Sequence, residues 1–455
     1  MKKGLKIALT SVLAAAGLAV TAGAANFEHC ADQLKEVGLF QGTESGYELD
    51  RAPNRGEAAA MLVRLLGKEE EAQKLTYTAP FTDLAGWEKP YVQYLYENKL
   101  TDGTSDTTFS PRSSCSAQMY TTFLLRSLGY ADGEQGDFTY AKALDFGKSI
   151  GLVDFANCNE SKFLRDHVAA MSLTALHADV KSEKGTSLLE KLVKDGAIEQ
   201  NKASSLLLFF DRYDDYMKAA SQMNQATKSD ISMKIDAKAS LDEQELLTLS
   251  MPVTMQADMD LEHMDQSKLS MTGAMKMHIN PELVTEPDAQ TDMELPIAYY
   301  YTNGVYYMNA GGQKIKMPMS FEDAMAQMGD LTSMQSEPLC LIEDIAVSGG
   351  KTTVTYSASG MEGLVDSILG SMGTDALTSD VQIRDIVAKA TVSGSKVQSI
   401  DISMKVDVTE EGQTITMDMT VNGTVNALGN SVTVTLPTDL DTYTDIADVA
   451  PDTAA

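Results

Sequence analysis

The spacing of apolar residues changes at residue 229 and divides the chain into two parts. Before that point apolar residues recur every three or four positions, as Leu62, Leu65 and Leu66 do, which is typical of one face of a helix. Beyond it apolar and polar residues alternate, as in residues 400–408, which is typical of an antiparallel sheet with one buried face. The pattern predicts a multidomain chain, with all-α helical repeats followed by an α+β antiparallel sheet that carries short helices.

The helical part repeats one plan three times, in residues 27–68, 81–130 and 138–177. Each copy has a first helix, a turn that contains glycine, an extended stretch and a second helix. The third copy follows the plan most loosely. A period of roughly 50 residues is typical of stacked helical units that bury their apolar faces on one another. We therefore expect residues 26–180 to form one helical repeat domain.

The second copy carries the most distinctive residues of the chain. They are Phe81-Thr82-Asp83, Trp87, Pro90-Tyr91, Gly103, Phe109, Pro111 and Leu128-Gly129. This set resembles the S-layer homology (SLH) modules, which anchor exported bacterial proteins to the cell wall. The Thr-Arg-Ala-Glu-like helix start of that family is present as residues 54–57 in the first copy. Only Arg165 remains of it in the third copy, and the second copy, with residues 115–118, has lost the arginine.

The resemblance implies binding of a secondary cell-wall polysaccharide whose acidic groups are typically ketal-linked pyruvates. A guanidinium beside the N–H groups of a helix start is suited to such an anion. Arg55 and Arg165 are therefore the first candidates for polymer binding. The candidate set is completed by Glu57, Trp87, Asp83 and Gly103. For Trp87 we favour packing in the core of its own copy, and for Glu57 we favour capping of its own helix.

The remaining chain is predicted to hold a helical connector over residues 181–225 and an antiparallel sheet domain over residues 226–448. Residues of alternating character predict strands, for example over 233–241, 269–279, 400–408, 415–421 and 432–436. Turn pairs such as Asn303-Gly304 separate the strands. Short helices are expected at about 320–327 and 361–369, and residues 449–455 are a tail.

An aromatic hairpin within residues 299–317 resembles part of an exported family of lipoprotein-like domains, whose half-barrel is related to the LolA and LppX carriers of lipids and lipoproteins. The resemblance implies a curved sheet around a cavity for a hydrophobic ligand. The chain has 26 methionines, which suit an adaptable apolar wall better than the Cu(I) site that thioethers also form. The expected cavity residues are Met271, Met275, Met277, Met404, Met417, Met419 and Tyr306.

The N-terminus and the charge are typical of an exported protein. Lys2, Lys3 and Lys6 precede an apolar run and an Ala-Gly-Ala site, which predicts a signal peptide over residues 1–25 and no transmembrane span after its cleavage. The net charge of −29 argues against nucleic acid and against docking on anionic lipid. The four cysteines lack metal-ligand spacing, and the sequence leaves their pairing open.

These observations predict a non-catalytic exported protein of the cell wall or cell surface (S-layer). Its SLH copies would hold wall polysaccharide, and its half-barrel domain would bind a lipid-like or other hydrophobic ligand. We expect no cofactor and no metal site, because the five histidines are scattered and no Gly-x-Ser-x-Gly, phosphate-loop or His-Glu-x-x-His motif occurs. Two alternatives stay open: a purely structural S-layer-type protein with a filled sheet core, and a cell-wall hydrolase.

Overall fold

The computed structural model of the chain describes residues 27–154, 156–284, 290–321, 323, 338–360, 380–410 and 412–449. These residues form two compact units. The helical unit contains residues 27–214 and 338–345, and the sheet unit contains the described residues of 215–337 and of 346–449. The predicted signal peptide, most of the predicted helix at 320–327, the predicted helix at 361–369 and nearly all of the predicted tail lie outside the described residues.

The helical unit consists mainly of short helices. They are α1 (Glu28–Glu36), α2 (Arg55–Leu65), α3 (Glu69–Ala72), α4 (Lys89–Glu97), α5 (Ala117–Ser127), α6 (Ala143–Ser149), α7 (Arg165–His177), α8 (Leu188–Lys194) and most of α9 (Gln200–Asn224). Helices α2, α5 and α7 are the second helices of the three sequence copies, and their apolar residues Leu62, Leu124 and Leu173 are fully buried. The core of the unit therefore lies along these three helices.

Polar side chains fix where these helices begin. The Asn54 side chain accepts from the backbone N–H of Glu57, and the Glu57 carboxylate accepts from the backbone N–H of Asn54, so that the two form a capping box before α2. The Ser116 side chain accepts from the backbone N–H of Met119 at the start of α5. Ser187 and Glu190 form a second capping box before α8. The capping role predicted for Glu57 is therefore confirmed.

A segment distant in sequence, residues 338–345, is part of the helical unit. Its residues Leu339, Leu341 and Ile342 are buried, and a 3-10 turn over Leu339–Leu341 packs against α7. At its end, the Arg212 guanidinium donates to the carbonyl oxygen of Ile345 over 2.8 Å. This segment supplies apolar side chains to the helical core.

The sheet unit is built on long antiparallel strands. The strands of the described residues are β1 (Lys228–Leu241), β2 (Gln244–Asp258), β3 (Lys268–Ile279), β4 (Asp292–Thr302), β5 (Val305–Ala310), β6 (Gln313–Pro318), β7 (Ile342–Ser348), β8 (Lys351–Tyr356), β9 (Asp380–Ser393), β10 (Lys396–Glu410), β11 (Gln413–Leu428) and β12 (Thr444–Asp445). A short helix, α10 (Ile446–Val449), follows them.

The strands form one sheet in the order β12-β6-β5-β4-β3-β2-β1-β11-β10-β9-β8-β7. Neighbouring strands are mostly joined by hairpins, and β1 pairs with the distant β11, so that the two halves of the unit meet at its first strand. At that junction Ala239 lies opposite both Leu247 and Met417. The short β12 pairs in parallel with β6 at one edge.

The order of a helical part before a large antiparallel sheet is confirmed. The Asn303-Gly304 turn has positive φ angles of 51° and 72°, as a tight hairpin between β4 and β5 requires. The strand predicted over 432–436 is wrong, because a 3-10 turn over Gly429–Ser431 ends β11 and the following residues leave the ladder. Curvature into a half-barrel stays a prediction.

Candidate functional site

The start of α2 is held by the extended stretch of the second sequence copy. The backbone N–H groups of Arg55 and Gly56 donate to the carbonyl oxygens of Ser113 (2.9 Å) and Pro111 (3.0 Å). The Arg55 Nε donates to the carbonyl oxygen of Phe109 over 2.9 Å, and the guanidinium lies over the Phe109 ring at 4.8 Å. The side chain is 5% exposed.

The start of α7 repeats this arrangement on the first sequence copy. The backbone N–H groups of Arg165 and Asp166 donate to the carbonyl oxygens of Arg51 (2.9 Å) and Leu49 (3.1 Å). The Arg165 Nε donates to the carbonyl oxygen of Tyr47 over 2.9 Å, and the residue is 4% exposed. The two arginines therefore occupy equivalent positions, each clamping its helix to the extended stretch of another copy.

These contacts correct one part of the sequence interpretation. We expected the N–H groups of the helix start to help the arginine bind an anion. In α2, however, the N–H groups of Arg55 and Gly56 donate to the second copy and that of Glu57 donates to the Asn54 side chain. That expectation is wrong for α2, where the positive charge comes from side chains and not from free N–H groups of the helix start.

Neither buried guanidinium forms a direct ion pair with a carboxylate of the described residues. No Asp or Glu oxygen among them lies within 4.0 Å of Arg55 or Arg165, and their Nη1 atoms contact the sulfur atoms of Met119 and Met61. Burial lowers the pKa of both side chains, and the charges of more distant carboxylates oppose this shift in part: Asp83 for Arg55, and Glu57 and Glu48 for Arg165. A buried cation without a directly bound counter-charge is unfavourable, so each site favours an anionic partner.

Three other candidates have structural contacts of their own. Glu57 pairs with Arg51 at 2.7 Å in addition to its capping role. The Asp83 carboxylate accepts from the backbone N–H groups of Phe109 and Ser110 at 2.9 and 2.7 Å. Gly103 has a φ of +77°, and a Cβ there would lie 2.4 Å from a Phe81 ring carbon. Asp83 and Gly103 thus hold the turn that precedes the clamp on Arg55.

Trp87 lies at the surface, which overturns our interpretation that it packs in the core. It is 46% exposed, and its ring meets Tyr91 edge to face at 6.4 Å. The next residue, Glu88, is fully buried, and its carboxylate pairs at 2.9 Å with Arg112, whose side chain is 63% exposed. An exposed indole can contact a sugar ring, and an exposed guanidinium held by the next residue can contact its acidic group.

Sequence reasoning missed Arg112 and Glu88. Glu88 also accepts from the backbone N–H of Ala85, and its carboxylate would lie 3.0 Å from a Cβ at Gly56. This pair therefore lies beside the start of α2, close in the chain to both Trp87 and the clamp. A basic residue directly after Pro111 was the available signal, but its position next to α2 depends on the docking of two copies.

In the sheet unit, the seven expected cavity residues share the apolar face. Met271 lies opposite Tyr299, whose ring stacks on Tyr306 at 6.0 Å. Met417 is fully buried in a packed cluster, and Met404 and Met419 pack against that cluster. On β3, Met275 and Met277 lie opposite Leu295 and Met293. The apolar face is continuous, but Met417 is packed into the core and does not line an open cavity.

A groove of about 630 Å³ lies on the opposite, polar face, and of the seven residues only Met277 borders it. Ion pairs cross its strands, among them Lys276 with Glu294 at 3.4 Å and His278 with Asp292 at 2.8 Å. Within the described ranges no group of three His, Cys, Asp or Glu side chains has the geometry of a metal site.

Comparisons with known proteins agree with the helical unit and leave the sheet unit without an activity. Residues 80–116 match the S-layer homology domain, and residues 232–442 match a family of unknown function (DUF6612). The second match assigns no ligand to the sheet unit, and the resemblance to lipid and lipoprotein carriers stays a prediction.

Three curated relatives share parts of the chain. The middle cell wall protein of Brevibacillus brevis is 26% identical over 181 residues, which are 38% of this chain and 17% of that protein. The surface layer protein of Brevibacillus choshinensis is 26% identical over 25% of this chain and 10% of its own length. An endoglucanase of a Bacillus species is 31% identical over 21% of this chain and 12% of its own length. The chain thus spans less than a fifth of each relative.

The S-layer homology match and the wall and surface-layer relatives define the location of the protein. It is an exported protein of the bacterial cell wall or cell surface. Across the ranges that the structure describes, no helix combines the length and the hydropathy of a membrane span.

Proposed function

We propose that the helical unit holds the protein on the cell wall by binding an acidic secondary wall polysaccharide. The observation that carries this proposal is the pair of buried guanidinium groups, Arg55 and Arg165, at equivalent helix starts without a carboxylate partner among the described residues. An anionic sugar substituent would supply a directly bound counter-charge. The function is adsorption without covalent chemistry.

Around this charge, exposed side chains supply the contact to the sugar. Trp87 presents an apolar ring face, and Arg112 presents donors within the same surface region as the start of α2. A polymer carboxylate that approaches Arg112 would compete with Glu88 for its positive charge. Asp83, Glu57 and Gly103 support the site through the turn and the cap that fix α2.

The test is binding of the full-length chain to purified wall sacculi that have been stripped of protein. Arg55→Met and Arg165→Met remove one charge each and keep side-chain length. Since a hydrogen bond to a charged group contributes about 1.5 to 3 kcal/mol, each should weaken binding by about tenfold to a hundredfold. Mild acid, which removes ketal-linked groups from the polymer, should abolish the difference between the variants and the wild type.

Arg126→Met is the matched control, because this arginine of the same unit is already paired with Asp102 and Asp132 at 2.8 and 2.7 Å. Its binding should stay within twofold of wild type, about 0.4 kcal/mol. Circular dichroism checks that each variant is folded. Wild-type binding by both Arg55→Met and Arg165→Met, or an equal loss in Arg126→Met, would overturn the assignment.

For the sheet unit we propose that the apolar face accommodates a hydrophobic ligand. In support, Met271, Met275, Met277 and Tyr306 are only partly buried on that face, and methionine adapts to irregular apolar shapes. The full-length protein, purified without detergent and extracted with organic solvent, should release a lipid-like compound in mass spectrometry. Extracts that match a buffer blank, together with no enhancement of a hydrophobic dye, would favour the purely structural alternative.

A further inference from the structure

Cys30 and Cys340 lie together in the core of the helical unit, although 310 positions separate them in the chain. Cys30 belongs to α1, and Cys340 belongs to the segment 338–345. Both residues are fully buried. The Cys30 Sγ lies 3.9 Å from the carbonyl oxygen of Cys340, and the side chain of the adjacent His29 also lies against Cys340. The sequence left the pairing of the cysteines open, and this contact singles out one pair.

This contact sets an upper limit on the distance between the two sulfur atoms. In one cysteine the carbonyl oxygen and Sγ are joined through three atoms and lie at most about 4.5 Å apart. The two Sγ atoms are therefore within about 8 Å, and rotation about the Cα–Cβ bonds can shorten that distance. Both cysteines are thiols in the structure.

We propose that Cys30 and Cys340 form a disulfide bond in the exported protein. The bond ties the first helix of the helical unit to the one segment of that unit that comes from far along the chain. This inference depends on export to the cell surface and not on polysaccharide binding. Disulfide bonds persist outside the cell, where cytosolic reductants are absent.

The bond forms by exchange with an extracellular disulfide carrier of the thiol oxidoreductase class. The Cys30 thiolate attacks the carrier disulfide, whose S–S bond breaks and leaves a mixed disulfide. The Cys340 thiolate then attacks the Cys30 sulfur and releases the carrier as a dithiol. The protein loses two electrons and two protons, and the carrier gains both.

Exchange has to precede closure of the core, because burial raises the pKa of both thiols well above the usual range and no carrier reaches a fully buried sulfur. The other two cysteines make other contacts, although the charge of Asp154 acts on both Cys158 and Cys340. The Cys115 Sγ contacts the carbonyl oxygen of the next residue, and Cys158 is charge-coupled to Glu160 and Lys148.

The test is thiol counting on the full-length protein, recovered from the cell surface with an alkylating agent present from the first step. Under denaturing conditions the wild type should take up two alkyl groups, of four cysteines, and should take up four after reduction. A Cys115→Ser/Cys158→Ser double variant should take up none before reduction. Peptide mapping should find the Cys30 and Cys340 peptides linked.

Single variants separate the proposal from the other pairings. Cys30→Ser and Cys340→Ser should each expose three reactive thiols, since each frees the partner. A reductant should lower the Tm of the wild type and leave the Tm of both variants unchanged. Four alkyl groups on the unreduced wild type, or a peptide that links Cys30 or Cys340 to Cys115 or Cys158, would overturn the proposal.

Discussion

Lowering the pH from 7 to 5 should destabilise the helical unit, because it buries two neutral histidines. Burial lowers the pKa of His29 to about 4, although a hydrogen bond to Cys340 partly opposes the shift. Burial also lowers the pKa of His167 to about 4, with a smaller effect of Lys162. The Nδ1 of His167 accepts from the backbone N–H of Leu164 over 3.0 Å and caps α7, which requires that this nitrogen carry no proton.

The sign and the size of the change in the free energy of unfolding follow from proton linkage. In the unfolded chain each histidine binds its proton near pH 6.5, whereas in the folded protein it does so only near pH 4. The stability that each neutral histidine contributes is therefore fully present above pH 6.5. It falls as the pH drops toward 4, because the unfolded state binds more protons. From pH 7 to 5 each histidine lowers the free energy of unfolding by about 2 kcal/mol, and the two together lower it by about 4 kcal/mol. Ordinary carboxylates titrate below this window.

The assay is urea unfolding of the full-length chain at pH 7 and pH 5, followed by the fluorescence of Trp87. This is the only tryptophan of the chain and belongs to the helical unit, so its signal reports on that unit. His167→Gln keeps an acceptor for the cap, and it should reduce the loss of stability by about 2 kcal/mol. His263→Gln, at an exposed site of the sheet unit, should leave the loss unchanged.

A wild-type loss below about 1 kcal/mol between pH 7 and 5 would refute this reasoning. So would an equal loss in the wild type and in His167→Gln, because the cap would then not depend on the neutral ring.

Three further substitutions test the packing. Gly103→Ala should cost about 2 kcal/mol or more in thermal unfolding, since its φ is +77° and the new Cβ meets Phe81, and an unchanged Tm would contradict this. Asp83→Ala should cost about 2 kcal/mol, because it leaves two backbone N–H groups without their acceptor, and a wild-type Tm would exclude that role. Met417→Ala should cost about 3 kcal/mol in the sheet unit, whereas the exposed Met293→Ala should cost far less, and equal losses would argue against the packed cluster.

The elements of the fold were largely predictable, because each depends on a local pattern. Helix α7 and strand β10 follow the apolar spacing of their own residues, and the caps at Asn54 and Ser187 follow from short motifs. The segment 432–436 alternates like a strand, but no strand of the described residues pairs with it. The alternation of apolar and polar residues indicates which side chains one face of a strand would bury. It does not indicate whether a neighbouring strand is available to pair with that segment.

The candidate site was only partly predictable. The motif resemblance found Arg55 and Arg165, but the sequence could not show that the N–H groups of α2 are already occupied by another copy. Arg112 was missed for another reason, because its partner Glu88 lies far from it within the same copy and no local motif joins the two. Trp87 misled us because a lone tryptophan in a helical repeat usually packs inside. Only the occupied N–H groups of α2 arise from docking between copies, which no single copy encodes.

The segment 338–345 also determines when the helical unit can complete its folding. During synthesis and export, about 120 residues of later chain must emerge after residue 214 before Leu339, Leu341 and Ile342 can enter the helical core. The contact has high sequence separation, so its loop-closure cost delays completion of the unit. A fragment that ends at residue 214 would leave the matching apolar surface of α7 open to solvent. The helical unit therefore completes its folding late, after much of the sheet sequence has been made. A fragment produced by cutting the chain after α9 lacks part of the helical core and does not serve as an independent wall anchor.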